Sequence, residues 1–222
     1  MIDITGILFD AAMVNTFMFV SFRDMSVEDC SIVQEDKYTV FKTNLLQLFN
    51  VCPSCRGPCQ SHVVKTTGTC VAVNQNCLKC FHTCDWWSQP LVRNIRAGNL
   101  LLSSAIACSG LSYIKTLAML RSINVACIGE RTYLNHFTQV IQPTVYDVWL
   151  KEQQIILDNI KQSRSELVLC GDGRCDSPGH NAKYGTYTML DADSNKVIHF
   201  ELTQVSVILS YDLFSLIYIV LY

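Results

Sequence analysis

The stretch that decides the fold of this chain is CPSCRGPCQSHVVKTTGTCVAVNQNCLKCFHTC, residues 52–84, which holds seven of the twelve cysteines. Two CxxC pairs stand out in it, Cys52/Cys55 and Cys77/Cys80. Two residues between thiolates let one tight turn present both sulfurs to a single ion, and a second such turn completes a closed tetrahedral site of four sulfurs. We therefore predict a structural Zn²⁺ held by these four cysteines.

The segment between the two CxxC pairs predicts a β-hairpin. It comprises residues 56–76, 21 in all, slightly more than the roughly 15–20 of the usual spacing. Gly68 lies near its middle and is flanked by the strand-like runs HVVKTT and TCVAV. Two CxxC turns carried by a hairpin are the arrangement of a zinc ribbon, and the run KYTVFKTNLLQLF predicts a short helix that leads into it.

Other interpretations of the cysteines stay open at this point. A disulfide framework needs an oxidising compartment, but the N-terminal sequence lacks the features of a cleavable signal peptide, so we expect the nucleus or the cytoplasm. Free buried cysteines and a redox-active pair are further alternatives, although nothing around the motif resembles a βαβ unit. Five more residues of the stretch have no assigned role or are alternative ligands: Cys59, Cys70, Cys84, His62 and His82.

Composition excludes several classes of protein. Half of the 222 residues are apolar and 16% are charged, which excludes a disordered chain. The net charge is −2, and no basic run of the kind that binds phosphate backbones in bulk is present. Any contact with nucleic acid must therefore use local patches. We expect DNA or a protein as partner, and neither a small-molecule substrate nor a membrane.

One such patch follows the ribbon in the run DWWSQPLVRNIRAGNL. Trp86 and Trp87 could stack on bases, and Arg93 and Arg96 could lie near a phosphate. Paired tryptophans beside a small metal site more often cover its core, so the favoured interpretation of Trp86 and Trp87 is structural.

The residues that follow have a helical pattern. In SYIKTLAMLRSIN, apolar residues recur at spacings of three, and we expect Ile114, Leu117, Leu120 and Ile123 on one face of a helix. VWLKEQQIILDNIKQ predicts a later amphipathic helix, and Pro143 before it predicts a kink or a restart. The region is therefore expected to be mainly helical.

Within that region, a helix, a short turn and a second helix opening after Gly129 are compatible with a helix-turn-helix. The recognition helix would then begin near Arg131 and carry Thr132, Asn135 and His136 outward. Helical hairpins also occur without DNA, and a single histidine is more often structural or solvated than catalytic.

The pattern changes to strands after Ser165. ELVLCGD predicts a short buried strand that ends in Asp172, and KYGTYTMLD and KVIHFELTQV predict a hairpin joined by the polar turn Asp193–Asn195. A carboxylate on a rigid strand can hold a divalent cation that activates a water or a hydroxyl for attack on a phosphodiester. Two such metals need acids from distant parts of a chain.

The sequences GDGRCDSPGHNAKYGTYTMLD and KVIHFELTQV, preceded by the CxxC ribbon and the AGNLLLSSAI helix, resemble DDE-type transposases with RNase H-like cores. These are cut-and-paste transposases of the kind often joined to a THAP zinc finger. The resemblance covers roughly residues 38–204 and implies an RNase H-like sheet, DNA binding and strand transfer, with Mg²⁺ or Mn²⁺ as cofactor of a complete core. By position, Asp172 matches the first acid of the family's triad; Asp176 is a rival, although Asp-Ser-Pro-Gly is also strong turn chemistry.

The chain also departs from that family. No THAP finger with its C2CH ligands is visible, and the second Asp and the final Glu of the triad have no counterpart. The apolar run at residues 205–222 is interpreted as unrelated sequence that ends a truncated gene product; a membrane anchor and a buried strand are the alternatives. We therefore expect a catalytically inactive, transposase-derived chain, the alternative being a zinc-ribbon adaptor without nuclease chemistry.

The expected fold class is α+β, with a zinc ribbon, a helical middle and a partial RNase H-like sheet. The predicted organisation is a poorly defined segment 1–37, a ribbon with its leading helix at 38–98, a helical region at 99–164, the start of the RNase H-like domain at 165–204, and the tail at 205–222.

Overall fold

The structure, a computed structural model, describes residues 32–92, 94–163, 167–175 and 183–204. Helices and antiparallel sheets alternate along the chain, which confirms the predicted α+β class. Some predictions concern positions outside the described residues: the segment 1–31, the tail 205–222, Arg93 and Asp176.

The described residues divide into two compact units, the first ending at Tyr146 and the second beginning at Asp147. This division falls inside the long helix Gln142–Ser163. The predicted boundary between the helical region and the C-terminal strands lies between residues 164 and 165, whereas the structure groups most of this helix with the C-terminal strands.

The first unit begins with helix α1 (Lys42–Gln47) and a three-stranded antiparallel sheet in the order β1 (Cys59–Thr67), β2 (Cys70–Cys77) and β3 (Thr83–Trp87). Gly68 closes the β1–β2 turn with a φ of 60°, a left-handed conformation in which a side chain is unfavourable. The short helix and the hairpin with its tip at Gly68 are thus both confirmed.

A β-bulge interrupts the pairing of β1 with β2. Val63 pairs with Val73 and Lys65 pairs with Ala72, so Val64 is an extra residue on β1. A bulge of this kind changes by one position which residues face each other beyond it. It therefore sets which side chains at the start of β1 lie beside the end of β2.

The tip of this hairpin is hydrogen-bonded to the following helix, α2 (Ala97–Cys108). Asn99 Oδ1 accepts from the Thr69 amide at 2.7 Å and from its hydroxyl at 2.8 Å, and Asn99 Nδ2 donates to the Thr67 carbonyl at 2.9 Å. Gln89 adds a bridge between the Thr69 hydroxyl and the amide of Gly98. The buried Asn99 therefore joins the ribbon to the helices.

Two short strands, β4 (Leu91–Val92) and β5 (Ile95–Arg96), lead from the ribbon into α2. Helices α3 (Tyr113–Ser122) and α4 (Glu130–His136) then pack against α2. The core between these helices is apolar and aromatic. It consists of Ile106, Leu117, Ile128 and Tyr133, with Leu102, Tyr113, Cys127, Leu134 and Phe137 packed around it.

The prediction that one face of α3 carries all four apolar residues is wrong for the first and the last of them, Ile114 and Ile123. Leu117 is fully buried, but Ile114 is 52% exposed and Ile123, just beyond the helix, is 65% exposed. An α-helix turns by about 100° per residue, so a repeat of three falls back by about 60° each time. Ile114 and Ile123 are therefore about half a turn apart and cannot share one face.

A π-helical turn (Phe137–Ile141) connects α4 to the long helix α5 (Gln142–Ser163). Pro143 follows this turn without ending the helix. Proline removes an amide donor and crowds the preceding turn, and the π-helical segment lies in that preceding turn. Among the helices of the described residues, none is both long and apolar enough to cross a membrane.

The second unit comprises α5 from Asp147 onward and an antiparallel sheet in the order β6 (Leu169–Cys175), β7 (Tyr184–Asp191) and β8 (Lys196–Gln204). The predicted β7–β8 hairpin is confirmed. Trp149 and Gln153 hold α5 on β8. Trp149 packs on Phe200 with ring centroids 5.0 Å apart, and Gln153 Nε2 donates to the Ile198 carbonyl at 2.9 Å and lies 3.3 Å from His199 Nδ1.

Strand β6 differs from its prediction. It was expected to be buried and to end at Asp172, but it continues to Cys175 and is exposed at every position after Leu169. Within the described residues it pairs on one side only, with β7, and an edge strand of this kind keeps fewer neighbours over its side chains.

Candidate metal centre

The two CxxC turns meet at one end of the ribbon. Cys52 and Cys55 precede β1, whereas Cys77 ends β2 and Cys80 follows it. Because β1 and β2 are antiparallel, the start of one strand lies beside the end of the other. The hairpin therefore brings together four sulfurs that are far apart in sequence.

The spacing of these sulfurs fits a tetrahedral metal site. Cys52 Sγ lies 3.7 Å from Cys80 Sγ, Cys55 Sγ lies 3.5 Å from Cys77 Sγ, and all four lie within 4.8 Å of one another. A tetrahedron with Zn–S bonds of about 2.3 Å has S–S edges of about 3.8 Å. Within the described part of the chain, this is the one group of three or more His, Cys, Asp or Glu residues close enough to hold a metal ion.

The two turns have the same backbone conformation. The residue after each pair, Arg56 or Phe81, has a φ of 59°. The amide of each first cysteine, Cys52 or Cys77, donates to the carbonyl five positions later at 2.9 Å. A left-handed conformation costs a non-glycine residue roughly 1–2 kcal/mol. Because both turns adopt it, we infer that this conformation serves to present the sulfurs to a metal ion.

Backbone amides lower the pKa of the first cysteine of each pair. The N–H groups of Cys80 and Lys79 each donate to Cys77 Sγ at 3.3 Å and lower the pKa of Cys77 to about 6. The amide of Cys55 likewise lowers the pKa of Cys52. These hydrogen bonds stabilise the thiolates, which are the forms that bind metal ions.

Cys80 shows the opposite shift. The amide of His82 lowers its pKa, but the neighbouring sulfurs of Cys55 and Cys77 raise it, and the net pKa is about 12. Four thiolates this close repel one another unless a cation lies between them. A divalent cation at the centre favours loss of the remaining protons, so metal affinity should fall as the pH falls.

A fifth sulfur, Cys59, lies beside the four. It pairs across the sheet with Cys77. Burial raises the pKa of Cys59 to about 11, and the charges of Cys77 and Cys52 add to this effect. Every residue considered as an alternative ligand lies outside the four-sulfur group: Cys59, Cys70, Cys84, His62 and His82.

The aromatic and basic residues proposed for nucleic acid are partly engaged within the protein. The Arg96 guanidinium lies 3.8 Å above the ring of Trp87 and donates to the Gln89 carbonyl at 3.1 Å. Trp86 packs against Phe49 with ring centroids 5.2 Å apart. Trp86 remains 37% exposed and Trp87 41%, and their contact with nucleic acid stays a prediction.

The predicted recognition helix corresponds to α4. Arg131, Thr132 and Asn135 are exposed on it, but His136 is buried, so the expectation that His136 faces outward is wrong. Residues 123–129 connect α3 to α4, which is longer than the turn of about three or four residues in a helix-turn-helix.

His136 belongs instead to a buried hydrogen-bond chain that the sequence analysis missed. Its Nδ1 lies 2.9 Å from the hydroxyl of Ser103, which donates to the Asn99 carbonyl at 3.0 Å. Since that hydroxyl proton is directed at Asn99, we infer that Nδ1 carries a proton and donates to Ser103. The signal in the sequence is the polar residues inside the apolar run NLLLSSAIAC.

Asp172 lies in the middle of β6 and is exposed. Its Oδ1 accepts from the amide of Gly173 at 2.8 Å. At Gly171 a side chain would overlap the hydroxyl and ring of Tyr187. Glycine at position 171 therefore leaves room for the Tyr187 side chain to lie over β6 next to Asp172.

Comparison of the chain with protein-family models, with curated proteins and with solved structures found no match. The resemblance to DDE-type transposases therefore stays a prediction from the sequence motifs. The assignment of the candidate metal centre depends only on the distances between its four sulfurs.

Proposed function

We propose that the chain binds one structural zinc ion through Cys52, Cys55, Cys77 and Cys80, and that residues 38–98 form a zinc ribbon. The observation that carries this proposal is the approach of four sulfurs to tetrahedral distances. Four protein ligands leave no open position for a substrate or a water, which is typical of structural sites.

Zinc is the metal that suits these ligands best. Thiolates are soft ligands that select zinc, Cu(I) or iron–sulfur clusters, and a single tetrahedral S4 set is typical of zinc or iron. The ribbon also has a small apolar core: besides the cysteines Cys52, Cys70 and Cys77, its buried apolar side chains are Ala72, Val73, Val92 and Ala97. A metal at its end would supply stabilisation that so few apolar contacts do not.

We further propose that the chain derives from a DDE-type transposase and retains DNA binding without strand transfer. The sequence motifs of residues 38–204 support this origin, and the antiparallel order β6–β7–β8 is compatible with the opening strands of an RNase H-like sheet. Asp172 would be a vestigial metal ligand, because one acid does not hold the two Mg²⁺ or Mn²⁺ ions of such a centre. The expected DNA contacts are Trp86, Trp87, Arg93, Arg96 and Arg131.

Metal content tests the zinc proposal. Purified chain should contain one zinc per molecule by elemental analysis and native mass spectrometry. Cys77→Ser should lose the metal, because three thiolates bind zinc much more weakly than four. Cys84→Ser is the matched control, since Cys84 lies on β3 outside the sulfur group, and it should keep the full content. Equal zinc content in Cys77→Ser and the wild type would refute the assignment.

Binding of mixed-sequence duplex DNA, followed by fluorescence anisotropy over a range of salt concentrations, tests the second proposal. We expect weak binding that declines with salt, as phosphate contacts require, and that weakens in Arg131→Gln. Nicking of supercoiled DNA should be absent with Mg²⁺ and with Mn²⁺. Metal-dependent nicking that disappears in Asp172→Ala would show that the chain is a nuclease after all.

A second candidate function is binding of a protein through the ribbon. Leu78 and Phe81 lie three residues apart in the second CxxC turn, yet they are 61% and 83% exposed. Exposed apolar side chains on one turn favour a protein partner over DNA. An absence of salt-dependent DNA binding by zinc-loaded chain would favour this adaptor role.

A further inference from the structure

Cys59 and Cys77 face each other directly across the β1–β2 pair. Neither amide donates to the other residue, since the Cys59 amide donates to the Asn50 carbonyl and the Cys77 amide to the His82 carbonyl. They are therefore a non-hydrogen-bonded pair, in which Cα atoms are about 4.5 Å apart and the side chains are close. Disulfides form at Cα separations of about 4.4–6.8 Å.

Cys59 differs from Cys77 in its accessibility, and from all four ligand cysteines in lying outside the four-sulfur group. It is partly exposed, whereas Cys77 is buried. Its thiol interacts with both Cys77 and Cys52 but lies outside the four-sulfur group. With the four other sulfurs engaged by a metal, Cys59 is the neighbouring thiol left free to react with an oxidant, although its raised pKa makes it a slow nucleophile.

We propose that Cys59 and Cys77 are the site of a reversible disulfide, formed by a hydroperoxide, that removes one ligand from the metal centre. The Cys59 sulfur attacks the peroxide, so an S–O bond forms as the O–O bond breaks and one alcohol or water leaves. Cys77 then attacks the sulfenic acid of Cys59; the S–S bond forms and water leaves with the oxygen. The two thiols lose two electrons in total, and the peroxide gains them.

The consequence for the metal rests on the zinc site proposed above. Once Cys77 is in a disulfide, three thiolates remain, and zinc should dissociate. Reduction by a dithiol returns both thiols and restores the site. The ribbon would thus lose its metal under peroxide and regain it in a reducing cell.

The test uses the zinc-loaded chain treated with hydrogen peroxide. Released zinc is followed by a chromogenic chelator, and disulfides are identified by non-reducing peptide mass mapping. Wild type should release zinc together with the appearance of a Cys59–Cys77 linked peptide, and dithiothreitol with added zinc should reverse both. Cys59→Ser should bind zinc normally but release it several-fold more slowly. Cys84→Ser, another partly exposed ribbon cysteine, should behave as the wild type.

Zinc release from Cys59→Ser at the wild-type rate would overturn the proposal, as would a disulfide confined to the ligand cysteines, such as Cys55–Cys77. A failure of zinc binding is distinguishable from both results. If the untreated chain holds no zinc, the zinc proposal fails. The presence or absence of the Cys59–Cys77 linked peptide in the peroxide-treated chain then tests the disulfide by itself.

Discussion

At the scale of single residues, the buried pair of Ser103 and His136 has the clearest consequence for stability. Ser103 is fully buried and His136 is 8% exposed. Burial lowers the pKa of His136 from its ordinary value of 6.5, although the Asn99 carbonyl opposes the shift. The folded chain therefore holds His136 neutral at a pH where the unfolded chain would accept a proton.

This shift predicts that acid destabilises the first unit. As the pH falls below about 6.5, the unfolded chain binds more protons than the folded one, so the free energy of unfolding decreases, by at most about 1.4 kcal/mol per pH unit for one group. The contribution of neutral His136 is fully present above that pH. Urea unfolding at pH about 7.5 and about 5.5 should show a smaller loss in His136→Gln than in the wild type.

The variant His62→Gln is the control for this measurement, because His62 is exposed on β1. It should retain the wild-type difference between the two pH values. Losses of equal size in His136→Gln and the wild type would mean that another group controls the acid response. Release of metal at low pH affects all three proteins alike and cancels in the comparison.

The sequence predicts the metal centre better at this scale than it predicts the neighbours of the ligands. The CxxC spacing identifies Cys52, Cys55, Cys77 and Cys80 because local turn geometry alone brings each pair of sulfurs together. It does not identify the partner of Cys59. A regular hairpin closed at Gly68–Thr69 would place Leu78 opposite Cys59, whereas the bulge at Val64 places Cys77 there.

At the scale of elements, hydrogen bonds hold the hairpin tip to α2. Asn99 is 4% exposed and makes three hydrogen bonds to Thr67 and Thr69. The left-handed turn at Gly68 brings the backbone against the Asn99 side chain, where an added Cβ would overlap it. The amide side chain thus serves as a specific connector between two elements.

We predict that Asn99→Ala destabilises the chain by about 2–4 kcal/mol, because it leaves buried groups of the turn without partners. Asn135→Ala is the matched control, since Asn135 is exposed on α4, and its effect should stay within about 0.5 kcal/mol. Chemical denaturation of the zinc-loaded proteins measures both. A loss below about 1 kcal/mol in Asn99→Ala would indicate that water replaces the amide.

Sequence patterns identify most elements here but not their buried faces. The ribbon hairpin and the β7–β8 hairpin follow from alternating residues and polar turns. The buried face of α3 does not follow from the sequence. Exposed apolar residues such as Ile114 and Ile123 obscure the helical periodicity of the buried ones. Similarly, β6 is apolar enough to suggest burial, yet its neighbours in the sheet cannot be known from its own sequence.

At the scale of the whole molecule, the two units differ in what stabilises them. The ribbon of the first unit buries cysteines with few apolar residues, as Cys52, Cys70 and Cys77 show. In the second unit, Met189 and Ile198 are buried, and Trp149 of α5 packs on Phe200. If the cysteines bind zinc, the folding of the ribbon depends on metal, while the second unit has its own apolar contacts.

Removal of zinc should therefore loosen one part of the chain selectively. Structural zinc contributes about 10–16 kcal/mol of apparent binding free energy in small metal-dependent folds, so a strong chelator should accelerate amide exchange across β1, β2 and β3 by orders of magnitude. Amides of β7 and β8 should keep their rates. Hydrogen exchange with mass spectrometry, before and after chelation, measures both regions in one experiment.

Cys77→Ser should reproduce the exchange pattern of the chelated wild type, because it removes one ligand without any chelator, and Cys84→Ser should reproduce the pattern of the metal-bound wild type. Equal acceleration in the ribbon and in β7–β8 would show that the whole chain depends on metal. Unchanged exchange in the ribbon would show that its hydrogen bonds to α2 and its small core suffice, and that the four sulfurs are not needed to hold the fold.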